Sequence, residues 1–198
     1  MLNSVPLAGL RPTQITVGFH EVAEKRREWH SMSEAERPAF LARHMIPVLL
    51  GPKKRFYVID HHHLARALLD EGCETVQVHV VADLSTLDRD GFWVFTDNRS
   101  WCHPYDSDGK RVDFDQIPKT VGDLTDDPFR SLAGALRRAG GYAKEGIPFL
   151  EFMWADALRR RMKAEEVEAS FAAALVHALE FAKGHDARYL PGWCGPSS

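Results

Sequence analysis

The chain has 198 residues, 44% hydrophobic and 27% charged, with a formal net charge of -3. That is the make-up of a globular protein with a core of its own, and the acidic balance argues against a general nucleic-acid coat protein. Cys73, Cys102 and Cys194 are odd in number and far apart, which excludes a disulfide framework and a zinc knuckle. The N-terminus lacks the basic-then-apolar pattern of a secretory signal, and no apolar run approaches the roughly 20 residues that span a bilayer. A soluble, cytoplasmic protein is expected.

In chain order, "TQITVGF" predicts a short strand and "HEVAEKRREWHSMS" a helix. "SEAERPAFLARHM" predicts a second helix, with Ser33 and Glu36 spaced as a capping box and Pro38 delaying or kinking it. "IPVLLG", "GPKK" and "RFYVID" read as a strand, a turn and a strand, a hairpin. "HHHLARALLDEG" places Leu64, Leu68 and Leu69 at helical spacing and stops at Gly72, and "ETVQVHVVADL" is a further strand. From Ser85 the texture changes. "STLDRDGFWVFTDNRSW" reads as a short helix that turns irregular, and the Asp-, Gly- and Pro-rich "CHPYDSDGKRVDFDQIPKTVGDL" as loop.

Three helices are then expected. One is "DDPFRSLAGALRRAGG", capped by Asp126 or Asp127 and stopped at Gly140-Gly141. The second is "IPFLEFMWADALRRRM", from Pro148, and the third a continuous amphipathic helix, "AEEVEASFAAALVHALEFAKG". The tail "YLPGWCGPSS" reads as extended or disordered. These elements give an α+β fold, with a small mixed sheet in residues 1–84 and a mostly helical C-terminal lobe in 85–198.

The chemistry gathers where strand meets helix, at Asp60, His61, His62 and His63. The first N–H groups of a helix have no partner inside it and the dipole there is positive, so such a junction suits phosphate. Imidazoles add hydrogen-bond donors and a proton carrier near neutral pH. An ionised Asp60 repels bare phosphate, and it fits better as an N-cap, a hydroxyl-orienting base or a metal contact. Three consecutive histidines on a helix point about 100° apart and cannot converge on one zinc ion. One of them, with Asp60 and a distant carboxylate, could hold a divalent cation. In the helical lobe, Arg130 with Glu151 is expected as a buried pair, and Asp156 with Arg160 as an i, i+4 pair.

"IPVLLGPKKRFYVIDHHHLARALLDEGCETVQVHVV" resembles the core of the ParB/sulfiredoxin superfamily. "LRPTQITVG", "DHHHLARALL", "DDPFRSLAGALRRAGGY" and "PFLEFMWAD", in that order, resemble the ParB-like nuclease group. The resemblance implies a nucleotide at the junction, ATP or ADP with Mg²⁺, and a small-molecule or nucleotide substrate. Asp60 matches the aspartate of the DGHTR form of the motif, His61 stands where its glycine is usual, and His62 stands at its histidine. Leu64 replaces the motif's arginine, for which Arg66 or His63 could partly substitute. The free-serine kinases of the superfamily use an early glutamate as base, which makes Glu21 or Glu24 a candidate, with Lys25 near a phosphate. The sulfinic-acid reductase reading needs a cysteine in the motif, and residues 60–66 contain none. Two function classes follow. The first is a phosphate-handling enzyme, a nuclease or a nucleotide-dependent phosphotransferase, with catalytic Asp60, His62, His63 and Glu21 or Glu24 and with His61, Arg66 and Lys25 on the cofactor. The alternative is a non-enzymatic DNA-binding, partition-like regulator. The acidic charge and the lack of an evident recognition helix favour the enzyme.

Overall fold

A computed structural model describes residues 3–196. It divides the chain into two units, one holding residues up to Val17 with Glu21–Thr125, the other Gly18–His20 with everything from Asp126 on. The segment after residue 84, expected with the helical lobe, is thus grouped with the sheet as far as Thr125.

The first unit is built on a mixed five-stranded sheet. Its strands are β1 (Asn3–Pro6), β2 (Arg11–Pro12), β4 (Ile46–Gly51), β5 (Arg55–Val58) and β6 (Thr75–Asp83), in the order β1-β6-β4-β5-β2. β4 and β5 form the expected antiparallel hairpin, with Val48 opposite Val58, and Lys53 and Lys54 turn it in left-handed conformations. β4 and β6 are parallel, which a tight turn cannot provide, and the chain between them runs through β5 and a helix. β1 and β2 come from one N-terminal stretch yet occupy opposite edges, Asn3 against Val78 and Arg11 against Tyr57. Of "TQITVGF" only β3 (Thr16–Val17) is strand; beside it the Thr125 N–H donates to the Ile15 carbonyl at 3.1 Å.

Both faces of the sheet are covered, and alternation decides which side chain goes where. Ile46, Val48, Val58, Val76 and Val78 join Val22, Trp29, Phe40, Leu64 and Leu68 in one core cluster. Those partners come from α1 (Phe19–Ser31), α2 (Arg37–Arg43) and α3 (His62–Asp70). Leu49 and Tyr57 face the other way, onto Phe92 and Trp93 of α4 (Arg89–Asn98), Cys102 and Ile117. Helix α4 corrects the irregular reading of "GFWVFTDN". Asp88 caps it by accepting from the Gly91 N–H at 2.8 Å, and Phe92, Trp93 and Thr96 share its buried face. Packing of those aromatics overrides the β preference of Phe-Trp-Val-Phe. α2 starts late, with Pro38 in its first turn, and the Glu36 carboxylate accepts from the Ser33 N–H at 2.8 Å. The Ser33 hydroxyl donates to the same carboxylate at 2.7 Å instead of accepting from the backbone, so the capping box is only half made.

The second unit comprises α5 (Pro128–Arg138), α6 (Leu150–Arg159), α7 (Ala164–Ala169) and α8 (Phe171–Lys183) around the fully buried Trp154. Trp154 stacks on Tyr142 with centroids 4.3 Å apart, and its indole N–H donates to the Pro191 carbonyl at 2.9 Å. Ala174, Ala178 and Ala182 form the buried stripe of α8. The single helix expected over 164–184 is two, broken at Ser170, which is extended and caps α8 through the Ala173 N–H. α6 begins two residues after Pro148, at Leu150. The tail is not loose: Leu190 is buried, Trp193 donates to the Gly184 carbonyl, and the Ala143 N–H donates to the Gly192 carbonyl at 2.7 Å. Ser197 and Ser198 lie outside the described residues.

Gly18 is glycine for want of room. A Cβ there would lie 2.3 Å from the Ser131 hydroxyl and 2.5 Å from its amide nitrogen. Next to it the Phe19 and His20 N–H groups donate to Asp126 Oδ1 and Ser131 Oγ at 2.6 and 3.1 Å. Among the described residues no helix is long and apolar enough to cross a membrane.

Candidate functional site

The β5–α3 junction is built in three steps. The hairpin persists through Ile59, whose N–H donates to the Pro47 carbonyl at 3.1 Å. The chain then turns at Asp60, whose carboxylate accepts from the His61 N–H at 2.7 Å. His61 is left-handed, φ 63° and ψ 26°, and α3 starts behind it. Intrahelical bonding begins with the Ala65 N–H to the His61 carbonyl at 2.9 Å. At its far end α3 closes with Cys73 N–H to Leu68 and Gly72 N–H to Leu69, both 3.0 Å, and Gly72 is left-handed, φ 72°. That is the two-bond glycine stop expected from the sequence.

Left-handed backbone is where glycine is at ease, and the motif's usual glycine belongs at residue 61. The chain keeps the conformation and changes the residue. Histidine tolerates this region better than most non-glycine residues, at about 1–2 kcal/mol of strain.

The three histidines do different things. His61 is exposed, as is Asp60. His62 is only 4% exposed, and its Nε2 accepts from the Thr13 backbone N–H at 3.3 Å. An accepting Nε2 puts the ring proton of neutral His62 on Nδ1. Thr13 also donates its hydroxyl to the Val58 carbonyl at 2.7 Å, so one residue after β2 braces both the strand end and the first helical turn. Thr13 was not singled out from the sequence; its place beside the β2–β5 pairing is a long-range fact. His63 is half-buried.

Leu64, in the motif arginine's position, is buried in the core beside Leu68. Arg66 turns elsewhere: its Nε donates to Asp70 at 2.9 Å and its Nη1 to the Leu124 carbonyl at 2.8 Å. Glu21, Glu24 and Lys25 are half-buried on α1, where Lys25 pairs with Glu28 at 2.9 Å and Glu24 lies 3.9 Å from Arg27. α1 meets α3 through Arg26 and His30, which both pair with Glu71 just past the helix end. Among the described residues, no group of three or more His, Cys, Asp or Glu is placed to hold a metal ion.

In the helical unit the expected Arg130–Glu151 pair is replaced. Glu151 accepts from Arg137 Nε at 2.9 Å, while the Arg130 guanidinium lies 3.3 Å over the Phe152 ring. Asp127 caps α5 through the Phe129 N–H at 3.0 Å and pairs with Arg159. Burial holds the Asp127 carboxyl above its ordinary range although Arg159 and Arg130 pull it down. Asp156 pairs with Arg160 as expected, and also with Arg159.

Residues 3–160 match the model of a family described as "Putative ParB-like nuclease". The chain belongs to that family. It is also similar along its whole length to a solved structure, "Crystal structure of protein Atu1540 from Agrobacterium tumefaciens". The two are 51% identical with a TM-score of 0.94, covering 100% of this chain and 98% of the other. No curated protein matches the chain.

Proposed function

We propose that this ParB-like protein is a phosphate-handling enzyme whose site is the Asp60–His63 turn. The observation that carries the reading is His61, a non-glycine residue in left-handed backbone, exposed, directly before a helix N-terminus. Strain kept at an exposed polar residue serves the side chain's position. A phosphate group of a nucleotide would lie against the first turn of α3, and Asp60 would be the side chain to hold a Mg²⁺, which would neutralise phosphate charge. Asp60 takes the proton of an attacking hydroxyl or water, and His61 protonates the departing oxygen as the P–O bond breaks. His62, through Thr13, fixes the turn and does not react. His63 and Lys25 supply further contacts to the phosphates, and Glu21 and Glu24 are the carboxylates that compete with Asp60 for the base. Whether water or a small hydroxyl compound attacks decides between hydrolysis and transfer.

The basic runs of the helical unit support the enzyme over a DNA clamp. Arg137, Arg159 and Arg160 are engaged by Glu151, Asp127 and Asp156, and Arg161 stacks over Phe181. Few are left as a stripe for phosphates of a duplex.

The test is thermal stability with ATP, ADP, GTP and a short oligonucleotide, each with and without Mg²⁺, followed by ³¹P NMR of the stabilising mixture. At 100 times Kd a ligand adds about 2.7 kcal/mol. Asp60→Asn and His61→Ala should keep the fold and lose turnover. If no nucleotide shifts melting at millimolar concentration, the proposal fails.

A further inference from the structure

A second feature, in the helical unit, does not depend on the junction. Arg130 is 5% exposed, and its Nε and Nη1 are sealed from solvent with no acceptor among the described residues. Phe152 covers one face of the guanidinium plane. The carboxylates near enough to attract it are engaged elsewhere: Asp127 by Arg159 and the Phe129 N–H, Glu151 by Arg137. Arg159, itself shared between Asp127 and Asp156, has its Nε in the same condition.

Arg137 takes Glu151, and Arg159 takes Asp127 and Asp156, so the guanidinium without a carboxylate of its own is the buried one, Arg130. Burial first, with Arg159's charge adding to it, pushes Arg130 down to about 10 although Glu151 and Asp127 pull it up. If packing were its whole task, an apolar residue of the same volume would be as good or better. Buried donors without an acceptor point to a water or an ion that completes them.

We propose that Arg130 anchors an oxyanion site in the helical unit, taking a small phosphate- or carboxylate-class anion on its Nε and Nη1 donors. Arginine is the residue suited to that role, being always charged and rich in fixed donors. The bound anion supplies the acceptor that the Arg130 guanidinium lacks.

The experiment uses the full chain labelled with ¹⁵N-arginine, in which buried Nε–H groups give resolved signals. Arg130→Lys assigns the Arg130 signal. Inorganic phosphate, acetate and chloride are titrated at constant ionic strength. The expected result is a saturable millimolar shift of the Arg130 signal with phosphate or acetate and none with chloride. Melting temperature should rise with the same midpoint, weakened at least tenfold in Arg130→Lys and unchanged in Arg160→Gln, a control at an exposed arginine. Arg130→Met should fold and lose the response. If it does not fold, the wild-type titration and the lysine variant decide. An Arg130 signal unmoved by any anion, or a drift shared by all the arginines, overturns the proposal and leaves Arg130 a cation stacked on Phe152.

Discussion

α3 and α6 both begin behind a left-handed residue that is not glycine: His61 at φ 63°, ψ 26°, and Phe149 at φ 59°, ψ 24°. The backbone cost is the same for both, about 1–2 kcal/mol. The surroundings are not. Phe149 is half-buried, with its ring edge-on to Phe152 at 5.6 Å, so apolar contact offsets the strain. His61 projects into solvent, and its N–H is held by Asp60, itself exposed. Packing explains the first. What the second retains is an imidazole at a fixed place, and that is the reason to look for chemistry at α3 and not at α6.

The contrast can be broken by substitution. Phe149→Gly relieves the backbone but gives up the ring, and full removal of a buried phenylalanine costs about 3–5 kcal/mol. For a half-buried ring the net loss should be about 2 kcal/mol in urea unfolding; a variant as stable as wild type would show that packing does not hold α6. Next is His62→Ala, which leaves the buried Thr13 N–H without its acceptor and should cost about 1–3 kcal/mol. His62→Gln, with an acceptor still in reach, should recover part of it. An alanine variant that melts like wild type would return His62 to the list of reacting groups. His61→Gly should go the other way, neutral or stabilising by less than about 1 kcal/mol, while nucleotide binding or turnover falls. Equal loss of stability at 61 and 149 would erase the distinction.

The smallest effect concerns pH. Burial, ahead of hydrogen bonds from the Phe19 and Asp127 amides, holds the Asp126 carboxyl above its ordinary value. The folded chain therefore binds this proton more readily than the unfolded one. The resulting stability is complete below the unfolded value, near 4, and fades as pH rises through the folded one. Asp126→Asn keeps the oxygen that caps α1 and removes the titration. Between neutral pH and about 4, its stability should fall more steeply than wild type on acidification, measured by denaturant midpoints. Parallel curves would mean that Asp126 does not titrate abnormally.

Much of the sheet unit could be read from the sequence, because its signals are local. β4, β5, α3 and β6 follow alternation, helical spacing and the Gly72 stop, and α5 follows Asp127 and Pro128. The extent of α4 was hidden by a glycine and a run of β-prone residues, and the break at Ser170 by alanines on both sides. Long-range facts were out of reach. Nothing in "DHHH" says which ring is buried, since that depends on Thr13, 49 residues earlier. Nothing in "EFMWAD" says that Glu151 takes Arg137 and leaves Arg130 over an aromatic ring.

The two edge strands carry a consequence for how the molecule is made. β1 and β2 are made before their partners: Asn3 must wait for Val78 and Arg11 for Tyr57. At synthesis rates of about 5–20 residues per second, β1 spends about 4–15 s without its partner. During that interval β4 and β5 can pair, because a three-residue turn joins them. β2 can join β5 once Tyr57 and Val58 are made, whereas β1 must wait for β6, so the two edges close in turn. Thr13 arrives with β2, so the turn at His61 and His62 can be braced before the β1 edge of the sheet is closed.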